Sequence, residues 1–394
     1  MESETALVRI EAGPHTRTQC PVSFVLPEQF RKGASVLLHE DGTALVVQSL
    51  PNGAGVTILP ELAAGTNATY RLHRRSDPAE AAPTYVAIKD TGSSLTVNID
   101  RTLLTRYHYA DVPVRPYFYP LLTATGREVT RAFPMRSDVA GESHDHPHHR
   151  SLWVAFGDVN GVDNWSEEPG HGSTRHDSVL EVVNGDVCGR FATSSAWITS
   201  EGRTLLRQRL QVTAWATPPE FRLLDFDIEL TAQGEDVLFG DTKEGGILSV
   251  RVAGSMDAAR GGRIENSYGA LDEAENWGRS AHWCDYSGPV GDQIQGIAVM
   301  DHPLSFRYPT HWHVRNYGLM TANPFGYAAY TSGAKHGEHR LEQGETLRFH
   351  YRLLLHDGDA KQGSVRARYL DFVSPPEVKI SLSDGPFHLQ GPSH

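Results

Sequence analysis

Cysteine is scarce in this 394-residue chain: Cys20, Cys188 and Cys284 are far apart and odd in number. No two have the spacing of a zinc site or a disulfide framework, so small buried thiols in a reducing compartment are expected. Lys and Arg number 36 against 48 Asp and Glu, a net charge of −12, and no basic block is interleaved with aromatics. That balance argues against a nucleic-acid partner. No uncharged apolar run approaches the ~20 residues that span a bilayer, and the mean hydropathy is −0.39, so no membrane partner is expected. The opening Met1-Glu2-Ser3-Glu4-Thr5 soon reaches Arg9 and Glu11, without the basic start and apolar run of an export signal, which predicts a cytoplasmic location. GxGxxG after a strand, GxxxxGK[ST], GxSxG and HExxH are all missing. Dinucleotide, P-loop, serine-hydrolase and zincin chemistry therefore lack their signatures.

What is present is period-two patterning. Leu206, Leu210, Val212 and Ala214 alternate with Arg207, Arg209, Gln211 and Thr213, interrupted on the apolar side by Gln208. Leu224, Phe226, Ile228 and Leu230 interleave with Asp225, Asp227 and Glu229, which predicts an acidic, solvated face; Leu347 to Leu355 repeats the pattern against Arg348, His350 and Arg352. Such runs read as long antiparallel strands. With 37 Gly and 23 Pro as punctuation and no strand–helix alternation, the expectation is an all-β protein built on a large antiparallel sandwich. One short helix is predicted over Ser364 to Phe372, where Val365, Tyr369 and Phe372 fall at helical spacing behind a serine cap.

Composition divides the chain into a small β-domain at 1–75, a linker at 76–83 with two prolines, a main domain at 84–373 and an extended, partly mobile tail at 374–394.

Three segments carry chemistry. The first is His144-Asp145-His146-Pro147-His148-His149-Arg150, followed by Asn160, Asp163 and Trp165. So many imidazoles beside a guanidinium need polar company, which implies acid–base work, metal binding or recognition of a hydroxylated or anionic ligand. An extended backbone would put His146, His148 and Arg150 on one face, with Pro147 marking an edge or bulge. Taken singly, His149 reads equally well as a half-buried hydrogen-bonded imidazole, and Asn160 and Asp163 as turn residues. In the second segment Lys243 and Glu244 precede Gly245-Gly246 and a strand; a general base with a cation beside it competes with a solvated strand end. The third alternates His311, Trp312, His313 and Arg315 and runs on to Asn323. Trp153, Trp165, Trp277, Trp283 and Trp312 lie in or near these segments, and flat rings among polar groups are what a sugar site needs.

The stretches 146–165, 241–253 and 311–326 together resemble the bacterial family labelled PmoA-like, across about Arg115 to Phe372. The family pattern commonly has Gly where this chain has Ser151. A methane-oxidising role does not transfer with the label, because the chain has no membrane span. The resemblance extends more distantly, through Arg115 to Leu122 and Gly126, to the galactose-mutarotase-like β-supersandwich proteins. It implies a sugar bound across a concave sheet, with His148 or His313 as general acid and Glu244 as general base. His146, His149, Arg150, Asn160, Asp163, Trp165, Lys243, His311, Trp312 and Asn323 would then contact substrate. The expectation is a carbohydrate enzyme of epimerase, isomerase or lyase type acting on a free or oxidised sugar without a committed cofactor. Two alternatives stand beside it: a divalent metal held by His146, His148 and a third imidazole, or sugar binding without catalysis. Pairing of chains is left open.

Overall fold

The computed structural model describes residues 5–75, 85–382 and 388–390, the last three by backbone alone. The predicted linker at 76–83 lies outside the described residues. The fold is all-β, as the alternation predicts. Two sheets carry the main body. One has nine strands, in the order Arg279–Ser280, His311–Arg315, Leu319–Asn323, Gly245–Arg251, Leu152–Phe156, Tyr117–Leu121, Thr102–His108, Ser94–Ile99 and Val86–Asp90. The other has eight and runs from the edge strand Ser173–Val183 to Arg263–Asn266. Side chains of alternate positions fill the space between them: Phe118, Phe156, Val250 and Trp312 from the first meet Phe226, Ile228, Phe349 and Leu353 from the second. Gln208 interrupts the apolar pattern because its Oε1 accepts the indole N–H of buried Trp197 at 2.9 Å.

The face of Asp225, Asp227 and Glu229 departs from the acidic, solvated expectation. In-register neighbours on Thr346–Asp357 neutralise it: Arg352, His350 and Arg348 stand 2.6, 2.6 and 3.2 Å from the three carboxylates. At its Asp225 end the pair is covered, Arg352 being only 5% exposed. The cover is the helix Val365–Val373, whose Phe372 ring lies under the Arg352 guanidinium at 4.5 Å. That helix forms where predicted, but Ser364 sits at φ 53° and makes no side-chain cap.

A further eight-stranded sheet is built from residues 6–74 together with Glu377–Leu382 and His388–Gln390. Within the tail, Glu377–Leu382 pairs antiparallel with Ala6–Glu11, and Val378 and Ile380 enter the same core as Val8 and Ile10. Helix Val365–Val373 ties this sheet to the sandwich, with Asp371 accepting from buried Arg17 at 3.1 Å. The three thiols are buried and free, and burial pushes those of Cys20 and Cys188 up to about 12. Among the described residues no helix is long and apolar enough to cross a membrane.

Candidate functional site

The nine-stranded sheet turns its other face outward, and period two decides which residues reach it. On His311–Arg315 the residues His311, His313 and Arg315 point out, while Trp312 points into the core. Trp312 is fully buried and donates its indole N–H to the Ala281 carbonyl at 2.9 Å. Its expected role as a substrate contact is therefore corrected: it is a packing residue on the opposite side of the strand. Trp283 likewise packs beneath the N-terminal sheet, in the cluster with Leu50 and Tyr369.

The histidine run is not extended. His146 adopts φ 43°, and the His149 N–H closes a turn onto the His146 carbonyl at 3.0 Å. Alternation of His146, His148 and Arg150 on one face is thereby replaced by an i, i+3 stack. The His146 and His149 rings lie 4.7 Å apart at 9°, with Tyr317 near-parallel to both, 5.2 Å from His146 and 6.5 Å from His149, and Trp153 beside His149. His148 stands edge-on to His149 and Trp165. Arg150 turns away and is held by Glu167 through contacts of 2.9 to 3.1 Å.

The stacked rings bound a cavity of about 400 Å³, which His148, the expected acid, and Arg150 do not line. His146, His149, Trp165 and Tyr317 make one wall; Lys243, Glu244, His313 and Arg315 make the other. Glu244 is ion-paired with Lys243. Burial opposes its ionisation, yet the Lys243 hydrogen bond and the surrounding cations hold its pKa below the usual carboxylate value. Arg315 is paired with Glu273 at 2.7 Å and lies over the Trp277 ring. His313 donates from Nδ1 to the Lys243 carbonyl, which leaves Nε2 as a buried nitrogen without a partner among the described residues. Burial lowers the pKa of His313 to about 4. Burial, then nearby Arg115, does the same to His148, and His149 falls further under burial and its neighbours His148 and Arg251.

Other expected contacts are spent on structure. Asn160 sits at a turn with φ 54°, accepting from the Leu238 N–H at 2.6 Å. Asp163 accepts the N–H groups of Trp165 and Ser166 at 2.7 and 2.9 Å and so fixes the turn that presents Trp165. Asn323 accepts from Phe325 and Gly326 and donates to the Thr242 carbonyl at 3.0 Å, pinning the loop that holds Lys243 and Glu244. His311 lies against Tyr327 and Tyr330 and does not line the cavity.

Four groups outside the expected set shape the site. Tyr317 and Glu273 line the cavity. Asp145 and Arg251 lie behind it, 3.1 Å apart, with Arg131 reaching the same Asp145 oxygen at 2.6 Å. Asp145, Arg251 and Tyr317 stood inside the motifs; Glu273, from the helix Asp272–Asn276, gave no signal. The metal alternative rested on His146 and His148, whose rings stand edge to face at 5.7 Å, and among the described residues the run is not part of a converging group of three donors. Among the described residues the donor atoms that do converge are those of Asp241, His336 and Glu338. Asp241 already accepts from Ala328 and Gly337.

One family model matches, over residues 94–369: the family of unknown function DUF6807. The chain belongs to that family. The matched stretch contains all three motifs behind the PmoA-like resemblance, and carries no PmoA-like assignment of its own. No curated protein matches this DUF6807 chain. Among solved structures it is similar to a glycosyl hydrolase family 38 protein of Enterococcus faecalis, at 9% identity and a TM-score of 0.43 over 99% of this chain, which spans 49% of that protein. It is also similar to a putative aldose 1-epimerase of Escherichia coli K12, at 10% identity and a TM-score of 0.24 over 70% of this chain and 100% of that one. The protein HI1317 gives 13% identity and a TM-score of 0.25 over 69% and 99%. At these scores the likenesses bear on no residue's role.

Proposed function

We propose that the cavity takes a free sugar or close derivative and moves protons on it, in an epimerase, isomerase or lyase type of reaction. The observation that carries this reading is His313: a buried, neutral imidazole whose Nε2 lone pair has no partner among the described residues, on the wall of an aromatic-lined cavity. With Nδ1 committed to a carbonyl, Nε2 first accepts a proton from a ligand hydroxyl, and the carboxylate of Glu244 favours the imidazolium that results. His313 then returns that proton as the acid. Tyr317 and Trp165 offer ring faces for C–H stacking. Both cations of the wall already have a carboxylate, Lys243 with Glu244 and Arg315 with Glu273, so an uncharged sugar fits better than a sugar acid or phosphate.

A panel of free aldoses and ketoses, with matched acid and phosphate forms, followed by proton NMR tests this. Turnover of a neutral sugar is expected, falling by about 10²-fold or more in His313→Gln and Glu244→Gln with the fold retained. Unchanged turnover in both variants would sink the acid–base assignment, and saturable binding without consumption would leave a sugar-binding protein.

A further inference from the structure

We propose that Arg251 is a positioning residue that fixes on which nitrogen His149, in the cavity wall, carries its proton. Arg251 ends the strand Gly245–Arg251, is 1% exposed, and lies under the Tyr317 ring at 4.6 Å. A guanidinium has donors only. Its Nη1 stands 3.2 Å from His149 Nδ1, so that nitrogen holds the lone pair and the proton of neutral His149 resides on Nε2. The same guanidinium reaches Asp145 Oδ1 at 3.1 Å through Nη2. Arg131 and Ser143 also donate to that oxygen, at 2.6 and 2.9 Å, which keeps Asp145 ionised and limited to accepting. Its other oxygen lies 2.8 Å from His146 Nδ1, without the alignment of a hydrogen bond.

One buried cation thus sets the proton of His149 on Nε2. His313 is the reverse, since the Lys243 carbonyl takes its Nδ1–H. The cavity wall then offers a donor from His149 and an acceptor from His313, the complement of a ligand whose hydroxyl groups both donate and accept. This meaning for binding rests on the proposed sugar reading; the proton positions do not.

Long-range proton–nitrogen NMR spectra of the uniformly ¹⁵N-labelled full chain near neutral pH decide the matter, with His149→Gln and His313→Gln used to assign the two rings. Expected are an Nε2–H signature for His149 and an Nδ1–H signature for His313. Arg251→Met should turn His149 into a mixture of tautomers or the Nδ1–H form, and Arg251→Lys, which keeps a donor, should restore Nε2–H. An Nδ1–H His149 in the wild type, or an unchanged signature in Arg251→Met, overturns the proposal. If Arg251→Met fails to fold, the wild-type spectrum still decides. No ligand enters the measurement, so a failed sugar screen and a wrong tautomer are separate results.

Discussion

Ser151 is the point where the histidine stack enters the strand Leu152–Phe156, and its backbone is left-handed, with φ 58°. Only glycine adopts that region without a Cβ penalty of about 1 kcal/mol, which gives a physical reason for Gly at this place in the resembling pattern. Ser151 offsets the penalty with a buried hydrogen bond from Oγ to Thr130 Oγ1 at 2.7 Å, worth about 0.5–1.5 kcal/mol. Ser151→Gly is therefore expected to leave unfolding free energy within about 1 kcal/mol of wild type. Urea titration checks this, and a loss well beyond that would mean the hydroxyl alone holds the turn. At this scale the sequence was readable for chemistry and poorly readable for direction. His146, His149, Glu244 and His313 do meet at one cavity, but a run containing a positive-φ histidine and Pro147 has no period to count. Asn323 and Asp163 are polar for the sake of backbone N–H groups, a use that residue type cannot separate from ligand binding.

The strand Gly245–Arg251 shows what an element adds. It is central in the nine-stranded sheet, between Leu152–Phe156 and Leu319–Asn323, and its two ends serve the site: Gly245 adjoins Glu244, and Arg251 holds the histidine stack. Gly245 has φ 90°, and a Cβ there would lie 2.9 Å from Trp165 Cε3. At Gly246 a Cβ would collide with Thr321 Oγ1 and the Ala322 carbonyl. What approaches these glycines is the indole and the neighbouring strand. Backbone cannot yield as a side chain does, so Gly246→Ala is expected to destabilise the protein by about 1–3 kcal/mol, as overpacking does. A shift in urea midpoint with unchanged slope is the measurement, and an unshifted midpoint would mean that the two strands are not packed this closely. Strands were legible wherever period two ran for several residues, as at Leu224 to Leu230. The strand Glu377–Leu382 was obscured by flanking prolines, although Val378 and Ile380 alternate inward.

For the whole molecule, the consequence of so many buried imidazoles is acid sensitivity. Burial holds His148, His311 and His313 at about 4 and His149 well below its usual value. In the unfolded chain each returns to about 6.5. Their folded values are depressed, so their contribution is complete above about pH 6.5 and is lost as the pH falls toward 4, each at no more than about 1.4 kcal/mol per pH unit. Three carboxylates act in the opposite sense: burial raises Asp301 to about 7, Asp257 to about 6 and Glu128 above its usual value, so the native state takes up their protons before the unfolded chain does. His356 is also opposed by its own burial, but Asp285 raises it; below about pH 6.5 it is protonated in both states and adds no slope. These four imidazoles, with His15, His108, His176, His282 and His339 lowered as well, against three raised carboxylates leave the unfolded state binding more protons between about pH 6 and 4.5. Urea midpoints measured at about pH 7, 6 and 5 at constant ionic strength are therefore expected to fall in that order. Midpoints that hold or rise would show that these histidines are not held neutral, and the proton-accepting state assigned to His313 would fall with them.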